Sequence, residues 1–437
     1  MKPRLVTELS EHSQRAWAAI AVLTAMCLSV GLTAGCAADS QQGQGQASST
    51  IGASAPADAP RTPWGEPDLQ GIWTDQYQTP LQRPALFKDK EFFTDEERAR
   101  FDELRLEVPR ADARTAPRGS EQDVSGAYPS VFNSLRPTGR RTSLIVDPPD
   151  GLRPAFTPEA QRRRQAAEEF RLALLQATEM CKQKLSVCAG GRYGPPSPRR
   201  VELAPSYIGS GAEGGGAINR ADGPEDRSLN ERCLGGSLPD FAGFRRIVQS
   251  PQVVSIFYDT GQGMGWQRIV PITSNAHAPS HVRQWWGDSR GRWEGDTLVV
   301  DVTNFTAKTD FHGSNENLHL VERWRRVSAD TIEYVVTMED PTTWVRPWTV
   351  KQEFAKQGEK ANRIYTEPRC HEGNEGLAGM LSGARAEERA FAQGRGPHPA
   401  TRCTAGCGTG SLPAMGGSDI EVLSRAVAGD AGESREP

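Results

Sequence analysis

The chain has 437 residues, of which 37% are hydrophobic and 24% are charged, and its formal net charge is −4. Its 44 glycines and 31 prolines exclude a compact all-helical bundle and favour strands, turns and loops. Because a dedicated nucleic-acid binder carries a basic domain, the slightly acidic balance also argues against nucleic acid as a partner.

The N-terminus has the pattern of an export signal. Three basic residues precede an uncharged run over residues 16–38, which is rich in Ile, Val and Leu. The run contains the string Leu-Thr-Ala-Gly-Cys, which ends at Cys36. A basic start, an apolar run and small residues before a cleavage site are typical of a secretory signal.

The string that ends at Cys36 resembles the lipoprotein box of bacteria, in which the Cys thiol is acylated. The resemblance implies a signal peptide over 1–35 and a lipid bilayer as partner through the acylated Cys36. The family usually has Leu three places before the Cys, where this chain has Thr33. Ordinary secretion and an uncleaved anchor helix are the alternatives. All three place the folded part in the cell envelope or outside it, on the periplasmic side or the outer surface.

Composition divides the rest of the chain. Residues 36–62 are small and polar and cannot bury enough apolar surface to fold, so we predict a flexible tether. We predict a single globular domain over 63–391 and a disordered tail over 392–437. Within the domain, residues 63–188 read as helical or irregular, 189–224 as a Gly/Pro-rich insertion, and 225–391 as β-rich.

Two helix starts are visible before residue 189. Thr94 and Glu97 have the spacing of a capping box, in which each side chain bonds the backbone N–H of the other. Thr157 followed by Pro158 and Glu159 provides a hydroxyl cap, a proline in the first turn and an acid near the positive end of the helix dipole. We expect this second helix to run to about Lys182.

The second half of the domain reads as antiparallel strands. Residues 252–258, 297–303 and 331–338 are β-branched or alternate with period two. Turn residues at 294–297 and 328–330 predict two tight hairpins. We therefore predict a mainly β fold with flanking helices, a meander of six to eight strands from about 245 to 368. Such a sheet must hide its edges, so it should close into a barrel or a strongly curved sheet.

Six cysteines follow Cys36, and an even number in an exported protein permits disulfides. Cys233 lies just before the strand region and Cys370 just after it, so we predict that they pair. Cys181 with Cys188, and Cys403 with Cys407, are candidates for local bridges. Cys403 and Cys407 have no second ligand pair nearby, so no metal site is predicted there.

Several strings together resemble a large family of secreted proteins and lipoproteins of environmental bacteria with no known activity. They are Pro67-Asp-Leu-Gln-Gly-Ile-Trp73, Gly287-Asp-Ser-Arg-Gly-Arg-Trp-Glu-Gly-Asp-Thr-Leu-Val-Val300, Glu316-Asn-Leu-His-Leu-Val-Glu-Arg323, Asp340-Pro-Thr-Thr-Trp344 and Cys370-His-Glu-Gly-Asn374. The resemblance covers about residues 62–391. It implies export and the strands, and it implies no chemistry.

Histidines and carboxylates in the β-rich part supply the residue types for acid–base catalysis. We single out His319 with Glu316, and His371 with Glu372, as candidate catalytic residues; the alternative is that each histidine is structural. His277 and His281 have a metal-like spacing for a helix, but Pro279 lies between them and the segment reads as a loop. No nucleophile elbow, zinc-binding helix, P-loop or dinucleotide pattern occurs, and no metal or cofactor is predicted.

Tryptophans and arginines are concentrated between residues 283 and 348. Together they predict a pocket that stacks a planar or sugar-like ligand and pairs with its acidic group. The alternative is that the tryptophans fill the core and the arginines cover the wet face of the sheet. The candidate ligand-binding residues are Trp285, Trp324, Trp348, Arg323 and Arg346.

Three functions follow from these observations. The first is an exported, lipid-anchored protein that binds a small molecule in a Trp/Arg-lined β pocket. The second is an envelope hydrolase or lyase that acts on a sugar or aromatic compound with a His/carboxylate pair. The third is a structural envelope protein. A histidine within hydrogen-bond reach of a carboxylate in a cleft would favour the enzyme, and a filled barrel would favour the structural role.

Overall fold

The computed structural model describes residues 59–107, 136–205, 218–229, 231–234, 236–241, 243–261, 264–358, 370–371 and 375–403. These residues fall within one unit, Ala53–Pro437. The predictions for the signal peptide, most of the tether, Cys36, Glu372 and Cys407 lie outside the described residues.

The described part of the chain contains ten strands. They are β1 (Gly71–Asp75), β2 (Ile145–Asp147), β3 (Phe244–Gln249), β4 (Val253–Gly261), β5 (Met264–Pro271), β6 (Asp288–Glu294), β7 (Thr297–Thr303), β8 (His319–Ser328), β9 (Thr331–Glu339) and β10 (Trp348–Lys356). Nine form an antiparallel sheet in the order β5-β4-β3-β1-β10-β9-β8-β7-β6, and β2 pairs with β10 beside this path. The predicted mainly β fold is therefore confirmed, with eight strands between residues 244 and 356.

The sheet curves until its two edge strands, β5 and β6, meet in a nearly closed barrel. At the seam, Ile272 and Gly291 form a parallel bridge, and Thr273 N donates to Gly291 O at 2.9 Å. A Cβ on Gly291 would lie 2.9 Å from both Ile272 Cδ1 and Val270 Cγ1. The absence of a side chain at this position is thus what lets the two edges approach.

Both predicted hairpins are present. Glu294 pairs with Thr297 across a two-residue turn, and Gly295 has φ +57°, the left-handed region that favours glycine. Ser328 pairs with Thr331 at the turn between β8 and β9. These turns set the register of β6 to β9, and hence which side chains of these strands point inward.

The inward-facing residues form one continuous core. The alternation predicted for two strands is confirmed, because Leu298, Val300 and Val302 in β7 and the even-numbered residues of β9 are at most 1% exposed. Large aromatic side chains fill much of the interior. They include Trp73, Tyr258, Trp324, Tyr334, Trp348 and Phe354.

In the described ranges four α-helices accompany the sheet: α1 (Asp95–Glu107), α2 (Pro158–Leu175), α3 (Glu179–Lys182) and α4 (Glu375–Ala392). The capping box before α1 is confirmed, since Thr94 N donates to Glu97 Oε2 at 2.7 Å and Glu97 N to Thr94 Oγ1 at 3.2 Å. At α2, the Thr157 hydroxyl accepts from Ala160 N as predicted.

The predicted extension of one helix to Lys182 is wrong. Helix α2 ends at Leu175, where the Thr178 hydroxyl and backbone N–H both donate to Leu175 O, at 2.7 Å and 2.9 Å. Thr178 then precedes the separate short helix α3. A threonine that bonds the backbone locally competes with the helical hydrogen bonds, which explains the break.

The predicted disulfide between Cys233 and Cys370 is confirmed, and Cys181 pairs with Cys188. Disulfides persist in oxidising compartments, so two of them indicate a periplasmic or extracellular protein. None of the helices that the structure describes is both long and apolar enough to cross a membrane. Order continues past residue 391, where we predicted the tail to begin, because Pro399–Thr401 form a 3₁₀ turn with Ala400 buried.

Candidate functional site

His319 begins β8 and points to the outer face of the barrel. Its Nε2 lies 3.1 Å and 3.2 Å from the two carboxylate oxygens of Asp301 in β7. Both residues occupy outward positions because they alternate with the buried Val300, Val302 and Leu320. The predicted acid–base histidine therefore has a carboxylate partner on the neighbouring strand.

A second histidine reaches the same carboxylate from the loop that joins β5 to β6. His277 Nε2 lies 2.9 Å from Asp301 Oδ1, and His277 Nδ1 lies 2.9 Å from Asp288 Oδ2. Asp288 also accepts from Ala278 N at 2.9 Å and pairs with Arg290 at 3.0 Å. Asp288, His277, Asp301 and His319 thus form a continuous row of hydrogen-bonded side chains, called here the histidine–aspartate chain.

The loop over residues 272–287 is tied to the sheet at several points. Asn304 Nδ2 donates to Ala278 O at 2.8 Å, and Gln284 N donates to Asn304 O at 2.9 Å. Asn304 has φ +61°, a conformation that asparagine tolerates better than most residues. These contacts fix His277 against β6 and β7, and they confirm that its segment is a loop.

Exposure rises along the histidine–aspartate chain. The Asp288 side chain is 8% exposed, whereas the His319 side chain is 35% exposed. Beyond His319, the carboxylate of Glu339 lies 3.7 Å from Nδ1 and is half exposed. The histidine–aspartate chain is therefore buried in the protein at Asp288 and accessible to solvent at His319.

The pKa values of Asp301 and His319 move apart. The hydrogen bond from His319 lowers the pKa of Asp301, and the same bond raises the pKa of His319 against the opposing effect of burial. His319 consequently holds its proton to a higher pH than a free histidine does. The arrangement favours a protonated imidazole beside an ionised carboxylate.

Stability should depend on pH through this pair. The contribution of His319 is fully present below its ordinary pKa of 6.5 and is lost as pH rises through the raised pKa. That of Asp301 is present above its ordinary pKa of 3.8 and is lost as pH falls through the lowered pKa. We expect His319→Gln to lower the free energy of unfolding by less than about 1 kcal/mol near pH 6, since the pair is partly exposed.

Urea unfolding of the wild type and the variant across pH 4–9 tests this expectation. The difference between the two should shrink as pH rises above the raised pKa of His319. A difference that stays constant, or that grows toward alkaline pH, would contradict the charged pair.

Glu316 and His371, two other predicted catalytic residues, do not join this site. Glu316 is exposed in the loop before β8, where its backbone oxygen accepts from Arg283 at 2.6 Å. His371 is exposed beside the Cys233–Cys370 disulfide. The partner of His319 is Asp301 rather than Glu316.

The structure does not bring the predicted Trp/Arg pocket together. Trp324 and Trp348 point inward and are 1% and 0% exposed. Arg323 is exposed on the outer face and pairs with Glu294 at 3.0 Å, because adjacent residues of a strand point to opposite faces. Arg346 is exposed and pairs with Asp147 at 2.8 Å, and Trp285 lies partly buried in the loop before β6.

Inside the barrel lies a polar cluster that the sequence analysis missed. Arg268 Nη2 donates to Glu322 Oε2 at 2.5 Å, and Tyr334 OH donates to Glu322 Oε1 at 2.7 Å. Arg268 also donates to Ser289 Oγ at 3.0 Å and lies 3.4 Å from Tyr258 OH. Burial raises the pKa of Tyr258 to about 12. Both charges of the Arg268–Glu322 pair are therefore buried and paired.

No group of three or more His, Cys, Asp or Glu side chains is placed to hold a metal ion within the described ranges. The hydrogen bonds along the histidine–aspartate chain make it a row of proton donors and acceptors. In such a row a carboxylate orients an imidazole and stabilises its protonated form.

Comparisons with known proteins add little. No family model matches the chain, and no curated protein matches it. A secretary abundant heat soluble (SAHS) protein from Ramazzottius varieornatus is 10% identical with a TM-score of 0.20, over 30% of this chain and 79% of that one. A mutant of the fluorescent protein UnaG is 13% identical with a TM-score of 0.18, over 30% of this chain and 86% of that one. Likenesses of this extent carry no argument about function.

Proposed function

We propose that the protein is an exported acid–base enzyme that hydrolyses or eliminates a group from a small sugar or aromatic molecule at His319. The observation that carries the proposal is the hydrogen-bonded row in which Asp301 joins His319 to His277 and, through it, to Asp288. A carboxylate hydrogen-bonded to a catalytic imidazole orients the ring and stabilises its protonated form.

In this mechanism His319 acts as the general acid. Its raised pKa lets the ring keep its proton to a higher pH than a free histidine does, and Asp301 stabilises the charge. In hydrolysis, the proton of His319 goes to the leaving-group oxygen while the hydroxyl of water adds to the substrate. The proton left over from water then returns to His319. His277 and Asp288 hold Asp301 in position throughout.

The small molecule thus binds at the outer face of β7 and β8, and not at the predicted Trp/Arg residues. Export is supported by the Cys181–Cys188 and Cys233–Cys370 disulfides and by the sequence pattern before Cys36. Acylation at Cys36, and hence attachment to a lipid bilayer, belongs to the same proposal. So does membership of the family of secreted proteins that the strings from Pro67 to Asn374 resemble.

Activity assays of the full chain, purified from its host envelope, test the proposed function. The panel holds 4-nitrophenyl glycosides and esters for hydrolysis, and uronides whose elimination products absorb in the ultraviolet. We expect His319→Gln to lower kcat/KM on the active substrate by about 10²–10⁴-fold, the usual contribution of a general acid. Asp301→Asn should lower it as well and shift the alkaline limb of the pH profile to lower pH.

His281→Gln is the matched control, because His281 lies exposed in the loop that carries His277. It should retain the activity of the wild type. Equal losses in His281→Gln and His319→Gln would contradict the proposal. If no substrate is turned over, the structural alternative, to which the densely filled interior is also suited, would replace it.

A further inference from the structure

The carboxylates around His319 differ in how far their oxygens are already engaged. Both oxygens of Asp301 lie within 3.2 Å of His319 Nε2, and Oδ1 also lies 2.9 Å from His277 Nε2. Asp288 lies on the far side of His277, and its side chain is only 8% exposed. Glu339 is 53% exposed, and within the described ranges it forms no ion pair except with His319. Glu339 is therefore the carboxylate of this group that can reach a water molecule.

The same contacts decide which nitrogen of His319 can give its proton to a substrate. Nε2 lies against Asp301, so a proton on this nitrogen is held by a carboxylate. Nδ1 lies 3.7 Å from Glu339 Oε2, which is longer than a hydrogen bond. His319 in β8 and Glu339 in β9 are directly opposite each other, so their side chains project from the same outer face. A proton donor at Nδ1 and a carboxylate base thus lie side by side on one accessible surface.

The short separation between this acid and this base restricts the reaction. Most glycosidases act from opposite sides of the sugar carbon, with two carboxyl groups about 5–9.5 Å apart. In ester hydrolysis, by contrast, the attacking and leaving oxygens are bonded to one carbon in a tetrahedral intermediate, so neighbouring groups can serve both. A uronide would bring a third carboxylate against Asp301 and Glu339, which like-charge repulsion disfavours. The geometry therefore fits an ester better than a glycoside or a uronide.

We propose that Glu339 is the general base of the site and that the substrate is a carboxylic ester with a sugar or aromatic part, an inference that rests on the proposed acid–base function. Glu339 takes a proton from water as the water oxygen adds to the carbonyl carbon. The bond from this carbon to the alcohol oxygen then breaks, and the alcohol oxygen takes the proton from His319 Nδ1. The products are a carboxylic acid and an alcohol. The proton on Glu339 passes to Nδ1, which restores both groups.

Two esters of benzoic acid, the 4-nitrophenyl ester and the ethyl ester, separate the roles of base and acid in the full chain. Glu339→Gln should lower kcat/KM by about 10²–10⁴-fold on both esters, because water is activated in the same way for each. His319→Gln should lower kcat/KM about tenfold more on the ethyl ester, since 4-nitrophenolate leaves without a proton and ethoxide does not. Glu339→Gln should also abolish the acidic limb of the pH profile, which Glu339→Asp should retain.

Glu353→Gln is the matched control, because Glu353 lies exposed on the outer face of the neighbouring strand β10. It should leave kcat/KM on both esters unchanged. Retained activity in Glu339→Gln, with loss of activity in His319→Gln, would overturn the role of Glu339 and leave the proposed function in place. Turnover of glycosides or uronides by the wild type, without turnover of either ester, would overturn the substrate class in the same way. If none of these substrates is turned over, the proposed function fails and this inference fails with it.

Discussion

Replacing Glu322 with Leu should lower the free energy of unfolding by about 3–5 kcal/mol, because it leaves the Arg268 guanidinium buried without its carboxylate. Arg268 is 3% exposed and Glu322 is 0% exposed, so water cannot replace the lost partner. The Tyr334 hydroxyl loses its acceptor at the same time. Urea unfolding of the wild type and the variant at pH 7 measures the difference.

The double variant Arg268→Met/Glu322→Leu separates pairing from packing. Removing both charges leaves no uncompensated ion. The double variant should therefore lose clearly less free energy of unfolding than the sum of the losses in Glu322→Leu and Arg268→Met. Arg323→Ala is the control, because its pair with Glu294 is exposed on the outer face and should contribute less than about 1 kcal/mol. A loss in Glu322→Leu no larger than in this control would show that the interior pair is not buried in solution.

Removing the Cys233–Cys370 disulfide should cost about 4–5 kcal/mol. The cross-link joins residues 137 positions apart, and the chain-entropy model gives that magnitude for so long a loop. The bridge connects the chain before β3 to the chain after β10, so it closes a loop around eight strands. The measurement is urea unfolding of Cys233→Ala/Cys370→Ala beside the wild type.

The second disulfide provides the internal comparison. Cys181 and Cys188 are seven positions apart, and the same model gives about 2–3 kcal/mol for Cys181→Ala/Cys188→Ala. The long-range bridge should therefore matter more than the local one. If the two variants lose equal free energy of unfolding, or if Cys181→Ala/Cys188→Ala loses more, residual strand pairing in the unfolded state restricts the chain as much as the Cys233–Cys370 bridge does.

The strands could be predicted because their signals are local. The alternation in 297–303 and 331–338 and the turns at Gly295 and Ala329 depend on neighbours a few residues apart. The path of the sheet could not be predicted in the same way. Strand β1 inserts between β3 and β10 although it ends at Asp75 and β3 begins only at Phe244, and no local pattern encodes such pairing.

The site shows the same division between local and long-range information. His319 could be singled out as an outward-facing histidine, but its partner depends on the register between β7 and β8, which places Asp301 diagonally from it. His277 was considered only for metal spacing with His281, because its contact with Asp288 and Asp301 requires the loop to fold back over β6.

Glu322 carried a local signal that the sequence analysis did not use. It lies between Leu320 and Trp324 on the alternating inward face of β8, so the pattern already placed a carboxylate in the core. A buried carboxylate requires a partner. That this partner is Arg268, on an edge strand across the barrel, follows only from the closure of the sheet.

The pKa of His319, measured by long-range ¹H–¹⁵N correlation of the histidine rings in the full chain, tests the histidine–aspartate chain most directly. We predict a pKa above the ordinary value of 6.5 in the wild type and a fall toward that value in Asp301→Asn. A pKa at or below 6.5 in the wild type, or one that Asp301→Asn leaves unchanged, would contradict the assignment of His319 and Asp301 as an acid–base pair.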